Sequence, residues 1–183
     1  MTLTFANLDG ATRSIMLDEF ERDAAANVLY ISPQLNPYGR NQWPFLLRAA
    51  LASSVPELLA RDLATLAVFN EFEAAPDADG GSPTPQSVPV DAGATLAETE
   101  FNRFYARAVC RRALQTDPHG VVEVYVAREG AAPAGTARDL VGRTVAAGPL
   151  LATLRTGVPV SAALGLDDPN ATLSVSLPSA AAS

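Results

Sequence analysis

The stretch Thr95–Leu114, TLAETEFNRFYARAVCRRAL, decides the fold. Thr95 and Glu98 stand at the spacing of a capping box, which predicts a helix beginning there. Apolar residues then recur every three or four positions and form one stripe along the helix. A second, narrower stripe lies about a third of a turn away. Because a helix that is apolar on two sides is usually covered on two sides, we expect a central helix. The first stripe comprises Ala97, Phe101, Phe104, Tyr105, Ala108 and Val109, and the second Leu96, Cys110 and Leu114.

The polar residues of this helix also carry information. Glu100 precedes Arg103 by three positions and Arg107 by seven, so these charges share one flank and can pair. Arg112 falls near the middle of the aromatic stripe, where its charge needs a carboxylate, a carbonyl or a partner surface. Arg112 either extends its guanidinium to water and the helix C-terminus, or contacts an anion or a partner.

Composition limits the protein class. The chain has 183 residues, 48% of them hydrophobic, which is enough for one core. A net charge of −7 disfavours nucleic-acid binding. All 13 basic residues are arginines, which excludes catalytic mechanisms that need a lysine. We find no signal peptide and no apolar run that could span a membrane, so we expect synthesis in the cytoplasm and no membrane partner.

Helical patterns dominate the first half of the chain. Asp9 is a plausible N-cap for a helix over residues 10–26, and Asn27 suits the left-handed position after it. Two short helices should then pack as a hairpin, one from Trp43 to about Leu51 and one beginning at Pro56. Between the first helix and this hairpin we expect a short strand over residues 28–31 and an ordered loop over residues 32–40.

Residues 70–91 have a different composition, rich in proline, glycine and aspartate. This segment has too few large apolar groups to order itself, so a mobile or partner-ordered loop is expected, with residues 87–90 joining a sheet edge. Residues 1–177 should form a single domain, and residues 178–183 a disordered tail.

The second half contains the strand patterns. Residues 121–128 alternate most clearly, residues 143–146 predict a short strand, and residues 149–155 predict a short helix. Residues 171–177 alternate again, after a turn over residues 167–170, with Leu173, Val175 and Leu177 on one face. This terminal strand either closes the sheet or pairs with another molecule. The fold class is therefore α+β, with the central helix packed on a small mixed or antiparallel sheet, a helical hairpin and long loops.

No catalytic set emerges from the residues. His119 is the single histidine and sits in a D-P-H-G turn, while Cys110, the single cysteine, lies on an apolar helix edge and favours an inert thiol. Glu98 and Glu100 point about 200° apart on a helix. We predict no catalytic residue, no cofactor and no metal, and the chain is not expected to be an enzyme.

Several segments together resemble an uncharacterised family associated with tailed bacteriophages and prophages of GC-rich bacteria. They are LDGATRSIMLDEFERD, LYISPQLNPYGR, the central TLAETEFNRFYARAVCRRAL, VVEVYVARE and ALGLDDPNATLSVSLP. The central match rests on Glu98 and on Glu100–Tyr105, EFNRFY. Residues 73–86 and the pair Asp167–Asp168 depart from the family pattern. The resemblance implies a part made with the phage structural genes, most simply a virion component.

The predicted function is a phage head or neck protein that assembles in many copies, through loops and termini, with itself and other phage structural proteins. It would be made in the host cytoplasm and end in the virion. Two alternatives stay open: a non-virion assembly chaperone or interaction module, and an enzyme that combines Glu98 or Glu100 with Arg103, Tyr105 and His119. The residues predicted to form the interface or the structural core are Glu100, Phe101, Asn102, Arg103, Phe104, Tyr105, Arg107, Arg112, Leu173, Val175 and Leu177.

Overall fold

The computed structural model describes residues 3–53, 55–75, 84–128, 130–133, 135–166 and 172–178. Helices and strands follow one another along the chain as expected for an α+β protein. The helices are α1 (Gly10–Ala25), α2 (Pro37–Ser53), α3 (Pro56–Thr65), α4 (Ala92–Thr116), α5 (Gly135–Leu140), α6 (Ala147–Leu154) and α7 (Val160–Ala163). The strands are β1 (Phe72–Ala75), β2 (Thr84–Ser87), β3 (Val121–Val126), β4 (Thr144–Ala146) and β5 (Leu173–Ser176).

The predicted central helix is α4, which packs against α1, α3, α6 and the strands β3 and β5. It begins three residues earlier than predicted, and the proposed capping box is wrong. The turn before it places the Thr95 amide 2.9 Å from the Asp91 carbonyl oxygen, so the helix is already formed at Thr95. Glu98 consequently lies within the helix, and its carboxylate pairs with Arg128 instead of reaching back.

The main sheet has the strand order β4-β3-β5 and is antiparallel throughout. Val124 lies opposite Val175, and both are fully buried beneath α4. Of the two roles left open for the last strand, closing the chain's own sheet is the one observed. The predicted alternation fails at Ser174, which is buried as well. Its hydroxyl donates a 2.6 Å hydrogen bond to Asn102 Oδ1, and this bond satisfies the buried group.

The caps of α1 are as predicted. The Thr12 amide donates to Asp9 Oδ1 at 2.9 Å, and Asn27 has a positive φ of 55° after the helix. The predicted strand over residues 28–31 is wrong, since the segment is irregular and exposes Val28 and Ile31. The Trp43 indole holds it in place by donating to the Tyr30 carbonyl oxygen at 2.7 Å.

Helix α2 begins at Pro37 rather than Trp43, so the predicted loop over residues 32–40 is wrong in its last part. Asn36 supplies the N-terminal cap, because its Oδ1 accepts from the Gly39 amide at 2.8 Å. Pro44 lies inside the helix instead of at its start. The next helix, α3, begins at Pro56 as predicted, and α2 and α3 pack together.

The predicted long loop over residues 70–91 is wrong at its two ends. Strands β1 and β2 pair there as a separate antiparallel sheet, with Phe72 opposite Ser87 and Ala75 opposite Thr84. The predicted edge strand at 87–90 is therefore shifted toward the N-terminus. Residues 76–83 in its middle, the predicted turn over residues 167–170 and the tail after Pro178 lie outside the described residues.

The remaining predicted elements of the second half are present with shifted bounds. Helix α6 starts at Ala147 rather than Pro149, and Gly157 after it has a positive φ of 93°. Among the helices that the structure describes, none combines the length and apolar character that a bilayer span requires.

Candidate functional site

The EFNRFY segment of α4 lies almost entirely out of solvent. Glu100, Phe101, Arg103, Phe104 and Tyr105 are at most 1% exposed, and Asn102 is 8% exposed. The helix is enclosed on one side by α1 and on another by the sheet, so polar as well as apolar side chains of the segment are buried. Buried charges need partners, and the segment's surroundings supply them.

Arg107 is the centre of a buried ion-pair cluster between α4 and α1. Its guanidinium donates to Glu19 Oε2 at 2.7 and 2.9 Å, and to Asp23 at 2.5 and 2.9 Å. All three side chains are at most 1% exposed. The guanidinium carbon also lies 4.8 Å from the ring centre of Phe104, within cation–π range. The cluster therefore fixes the crossing of the two helices by charge as well as by packing.

Glu19 is shared by three arginines. Besides Arg107, it accepts from Arg155 at 2.6 and 3.0 Å and from Arg111 at 3.3 Å. Burial alone would raise the pKa of Glu19, but hydrogen bonds from Arg155 and Arg107 outweigh it and lower the pKa to about 2. Since Arg155 follows α6, this one carboxylate joins α1, α4 and α6.

Glu100 and Arg103 form a second buried pair within α4. Arg103 Nε lies 3.1 Å from Glu100 Oε1, and Nη2 donates to the other oxygen. Burial raises the pKa of Glu100 even though Arg103 opposes the shift. The Arg103 guanidinium carbon lies 5.0 Å from the Phe104 ring centre and 6.0 Å from that of Tyr30. Glu100 does not accept a hydrogen bond from Arg107. The two arginines predicted to share Glu100 therefore pair separately, Arg103 with Glu100 and Arg107 with Glu19 and Asp23.

Asn102 fastens α4 to the last strand. Its Nδ2 donates to the Leu173 carbonyl oxygen at 2.8 Å, and its Oδ1 accepts from the Ser174 hydroxyl. The side chain thus uses its donor and its acceptor on neighbouring residues of β5.

Replacing Asn102 with alanine is expected to lower the free energy of unfolding by about 2 kcal/mol. The substitution leaves the buried Leu173 carbonyl and Ser174 hydroxyl without their hydrogen-bond partner. Replacing Ser174 with alanine removes one of the two bonds and should lower the free energy of unfolding by about 1 kcal/mol. Urea unfolding of both variants measures this difference. Equal losses in the two variants would contradict the proposed double attachment.

Tyr105 and Arg112 fasten α4 to the N-terminal segment. The Asn7 amide donates to the Tyr105 hydroxyl oxygen at 3.0 Å, and the Phe5 ring packs 4.7 Å from the Tyr105 ring. Arg112 donates to Asp9 Oδ2 at 2.8 Å and to the Thr12 hydroxyl at 2.7 Å. Of the partners left open for Arg112, the structure shows a carboxylate, and that carboxylate belongs to the cap of α1.

Cys110 is fully buried, and burial raises the pKa of its thiol to about 12 from an ordinary value of 9.0. The inert thiol predicted from the sequence is therefore supported. An aromatic disulfide reagent at pH 8 should label the folded protein on the order of a thousandfold more slowly than the urea-unfolded chain, because the thiol is buried and less of it is ionised. Comparable rates in the two states would show that the cysteine is accessible.

A cleft of about 680 Å³ opens beside the N-terminal half of α4. Its lining includes the buried Glu100 and Asn102 and, farther out, the ion pair of Glu98 with Arg128. Burial raises the pKa of Glu98, against the opposing charge of Arg128. The buried Nε of Arg128 has no hydrogen-bond partner among the described residues. Glu98 thus pairs with Arg128 and Glu100 with Arg103 at this cleft, while the Arg128 Nε is left without a partner among the described residues.

The residues of the alternative catalytic set are not brought together. His119 follows the C-terminus of α4, and that end of the helix lies about 24 Å along the axis from Glu100 at 1.5 Å per residue. It lies exposed in the predicted turn, where its amide donates to Asp117 Oδ1 at 2.9 Å. Within the described ranges, no group of three or more histidine, cysteine, aspartate or glutamate side chains is arranged to hold a metal ion.

Comparison with known proteins gives no match, whether against protein families, curated proteins or solved structures. The geometry of the chain itself is therefore the basis for assigning roles to its residues.

The sequence prediction missed the acidic half of the central cluster. Glu19 and Asp23 stand four positions apart, next to the Met16–Phe20–Ala24 spacing that predicted α1. Two acids on the inner side of one helix and several arginines on another are the signal that could have found the cluster. The predicted residues Leu173 and Val175 are fully buried, and Leu177 packs at the margin of the core.

Proposed function

We propose that the protein is a structural component of a tailed-phage virion, placed in the head or neck and assembling with other structural proteins and copies of itself. The observation that carries this proposal is that the polar side chains of the EFNRFY segment are used in contacts within the chain. The polar side chains in this segment bond to the chain's own residues: Arg103 to Glu100, Asn102 to β5, and Tyr105 to Asn7.

The segment that carries the family resemblance therefore holds α4 against β5 and the N-terminal segment. Side chains that catalyse or bind small ligands need free donors or acceptors in a pocket. Here Glu100 and Asn102 line the cleft beside α4, but Glu100 already pairs with Arg103, and Asn102 holds α4 to β5. A component that must keep its shape among many neighbours benefits from such fastening, which supports a structural role over an enzymatic one.

The terminal strand fills the first of the two roles left open for it, since it closes the chain's own sheet. Strand exchange through residues 171–177 would require β5 to leave its own sheet, where it pairs with β3 and is held by Asn102. Assembly in this proposal uses surfaces that stay free when the domain is folded. The net charge of −7 favours contacts between proteins over contacts with packaged DNA.

Density-gradient separation of lysate from the native source, with the chain followed by mass spectrometry, tests the proposal. We expect it to travel with particle-sized material at a fixed ratio to the major shell protein. Recovery only with free protein at the top of the gradient would reject the virion role. Transient binding to assembly intermediates, without presence in finished particles, would instead support the chaperone or interaction-module alternative.

A further inference from the structure

Sheet edges with free backbone groups are templates for pairing with another chain, and most edges in the described residues are protected. At the outer edge of β5, Asn102 donates to the Leu173 carbonyl oxygen, and the Leu177 amide donates to Asn7 Oδ1, each at 2.8 Å. Strand β4, at the opposite edge of the main sheet, has only three residues. Both edges of the main sheet therefore offer little to an incoming strand.

The outer edge of β2 is blocked by a proline. The Val88 amide donates to the Glu71 carbonyl oxygen at 3.2 Å, which makes these residues a hydrogen-bonded pair. Because such pairs alternate with unbonded pairs in an antiparallel ladder, Ala74 and Pro85 form an unbonded pair. The Pro85 nitrogen therefore faces away from β1, toward the free edge, where it has no hydrogen to donate.

The outer edge of β1 has no such protection. The same alternation directs the N–H and C=O groups of Phe72 and Ala74 away from β2. The Asn70 amide, two residues earlier, faces that side as well, since it donates to the Gln34 carbonyl oxygen at 2.8 Å. Past this contact, no described residue bonds to the outward backbone groups of Phe72 and Ala74. The edge is thus open over the length of β1.

We propose that this edge of β1 is a docking site for an extended segment of a partner protein in which basic and apolar residues alternate. Backbone groups of Phe72 and Ala74 would bond to the incoming strand, as in other cases of strand addition. Glu71 and Glu73 lie on one face of β1. Glu73 Oε2 already accepts a hydrogen bond from Gln34 Nε2 at 2.8 Å, so the exposed Glu71 is the main group that would attract the basic residues. Phe72, which is 53% exposed, lies on the other face and would contact the apolar ones.

A second copy of this chain fits the edge poorly. A two-fold pairing that uses both Phe72 and Ala74 would place Glu73 directly opposite Glu73 of the second copy. Like charges in directly opposed positions destabilise a pair of strands. The charge pattern therefore favours a different protein with basic side chains, and the inference rests on the proposed function, for which it names an assembly surface.

The test uses the full-length protein and a short blocked peptide of alternating arginine and valine, with a serine–valine peptide as the neutral control. Ala74→Pro removes the outward amide of the open edge. Ser87→Pro is the matched variant, because Ser87 also faces outward but lies on the edge that Pro85 already blocks. Titration gives the Kd of each protein, and hydrogen exchange reports on individual amides.

We expect the arginine–valine peptide to bind and to slow exchange at the Phe72 and Ala74 amides. Ala74→Pro should weaken binding about tenfold or more, and Ser87→Pro should stay within about twofold of the wild type. Glu71→Gln should weaken binding and reduce its dependence on salt.

The proposal would be overturned if the peptide does not bind to the wild type, or if the two proline variants have equal Kd values. It would also be overturned if binding slows hydrogen exchange at amides outside β1. A dimer that Ala74→Pro dissociates would overturn the assignment of a different partner protein. The gradient experiment is independent of these results, so a chain that travels with particles while failing the peptide test would retain its structural role and lose this surface.

Discussion

Replacing Arg107 with methionine is expected to lower the free energy of unfolding by about 3 to 5 kcal/mol. The methionine keeps most of the volume but leaves the buried carboxylate of Asp23 without its main partner and that of Glu19 with Arg155 and Arg111 alone. Uncompensated buried charge carries a far larger free-energy penalty than the loss of a contact at the surface. Urea unfolding followed by circular dichroism measures the effect.

The matched control is Arg48→Ala. Arg48 pairs with Glu21, and both side chains are more than half exposed. An exposed pair contributes about 0 to 1 kcal/mol, so this variant should unfold almost like the wild type. Adding Asp23→Asn to Arg107→Met should recover part of the loss, because it removes a buried charge whose remaining partner, Arg22, is half exposed. A loss for Arg107→Met no larger than that for Arg48→Ala would refute the central role of the cluster.

Acid should unfold the protein largely through Glu19. The pKa of Glu19 is about 2 in the folded protein against an ordinary value of 4.5, so its ionised form stabilises the fold. A lowered pKa gives stability that is complete above pH 5 and is lost as the pH falls toward 2. The size of the shift corresponds to roughly 3 kcal/mol. Protonation of Glu100, whose pKa is raised by burial, acts in the opposite direction.

Comparison of the wild type with Glu19→Gln isolates this contribution. The difference between their free energies of unfolding should shrink by roughly 3 kcal/mol between pH 6 and the acid limit. Glu21→Gln, on the exposed side of α1, should differ from the wild type by about 1 kcal/mol or less throughout. An NMR titration of the Glu19 carboxyl carbon provides a direct check: a midpoint near 4.5 would contradict the shared-carboxylate arrangement.

The parts of the fold that sequence patterns predicted best are those set by local chemistry. The central helix, the Asp9 cap and the 121–128 strand depend on periodicity and on residues a few positions apart, which a single sequence displays. Errors arose where a competing local interaction decided the outcome. Asn36 caps α2 earlier than the Trp43–Pro44 start suggested, and the turn before Ala92 starts α4 ahead of Thr95.

The sequence shows that acids and arginines are available for interior pairing, but which residues pair between helices depends on how the helices cross. The sequence pattern suggested Glu100 as a partner for Arg107, but the crossing of α1 over α4 supplies Glu19 and Asp23 instead. Likewise, the composition of residues 70–91 suggested a loop, while the pairing of β1 with β2 is a tertiary contact that composition does not encode.

The position of β5 has a consequence for the order of events during synthesis. This strand leaves the ribosome after every other described element, yet it covers Val124 and completes the bonding of Asn102. Until it arrives, a nascent chain carries an open flank on β3 and an unsatisfied amide on its central helix. Helices that pack through α1 and α4 can form early, but the sheet closes only with the last strand. A ribosome stalled before Leu173 would therefore expose an unpaired strand edge and apolar residues of β3, which quality-control factors could recognise.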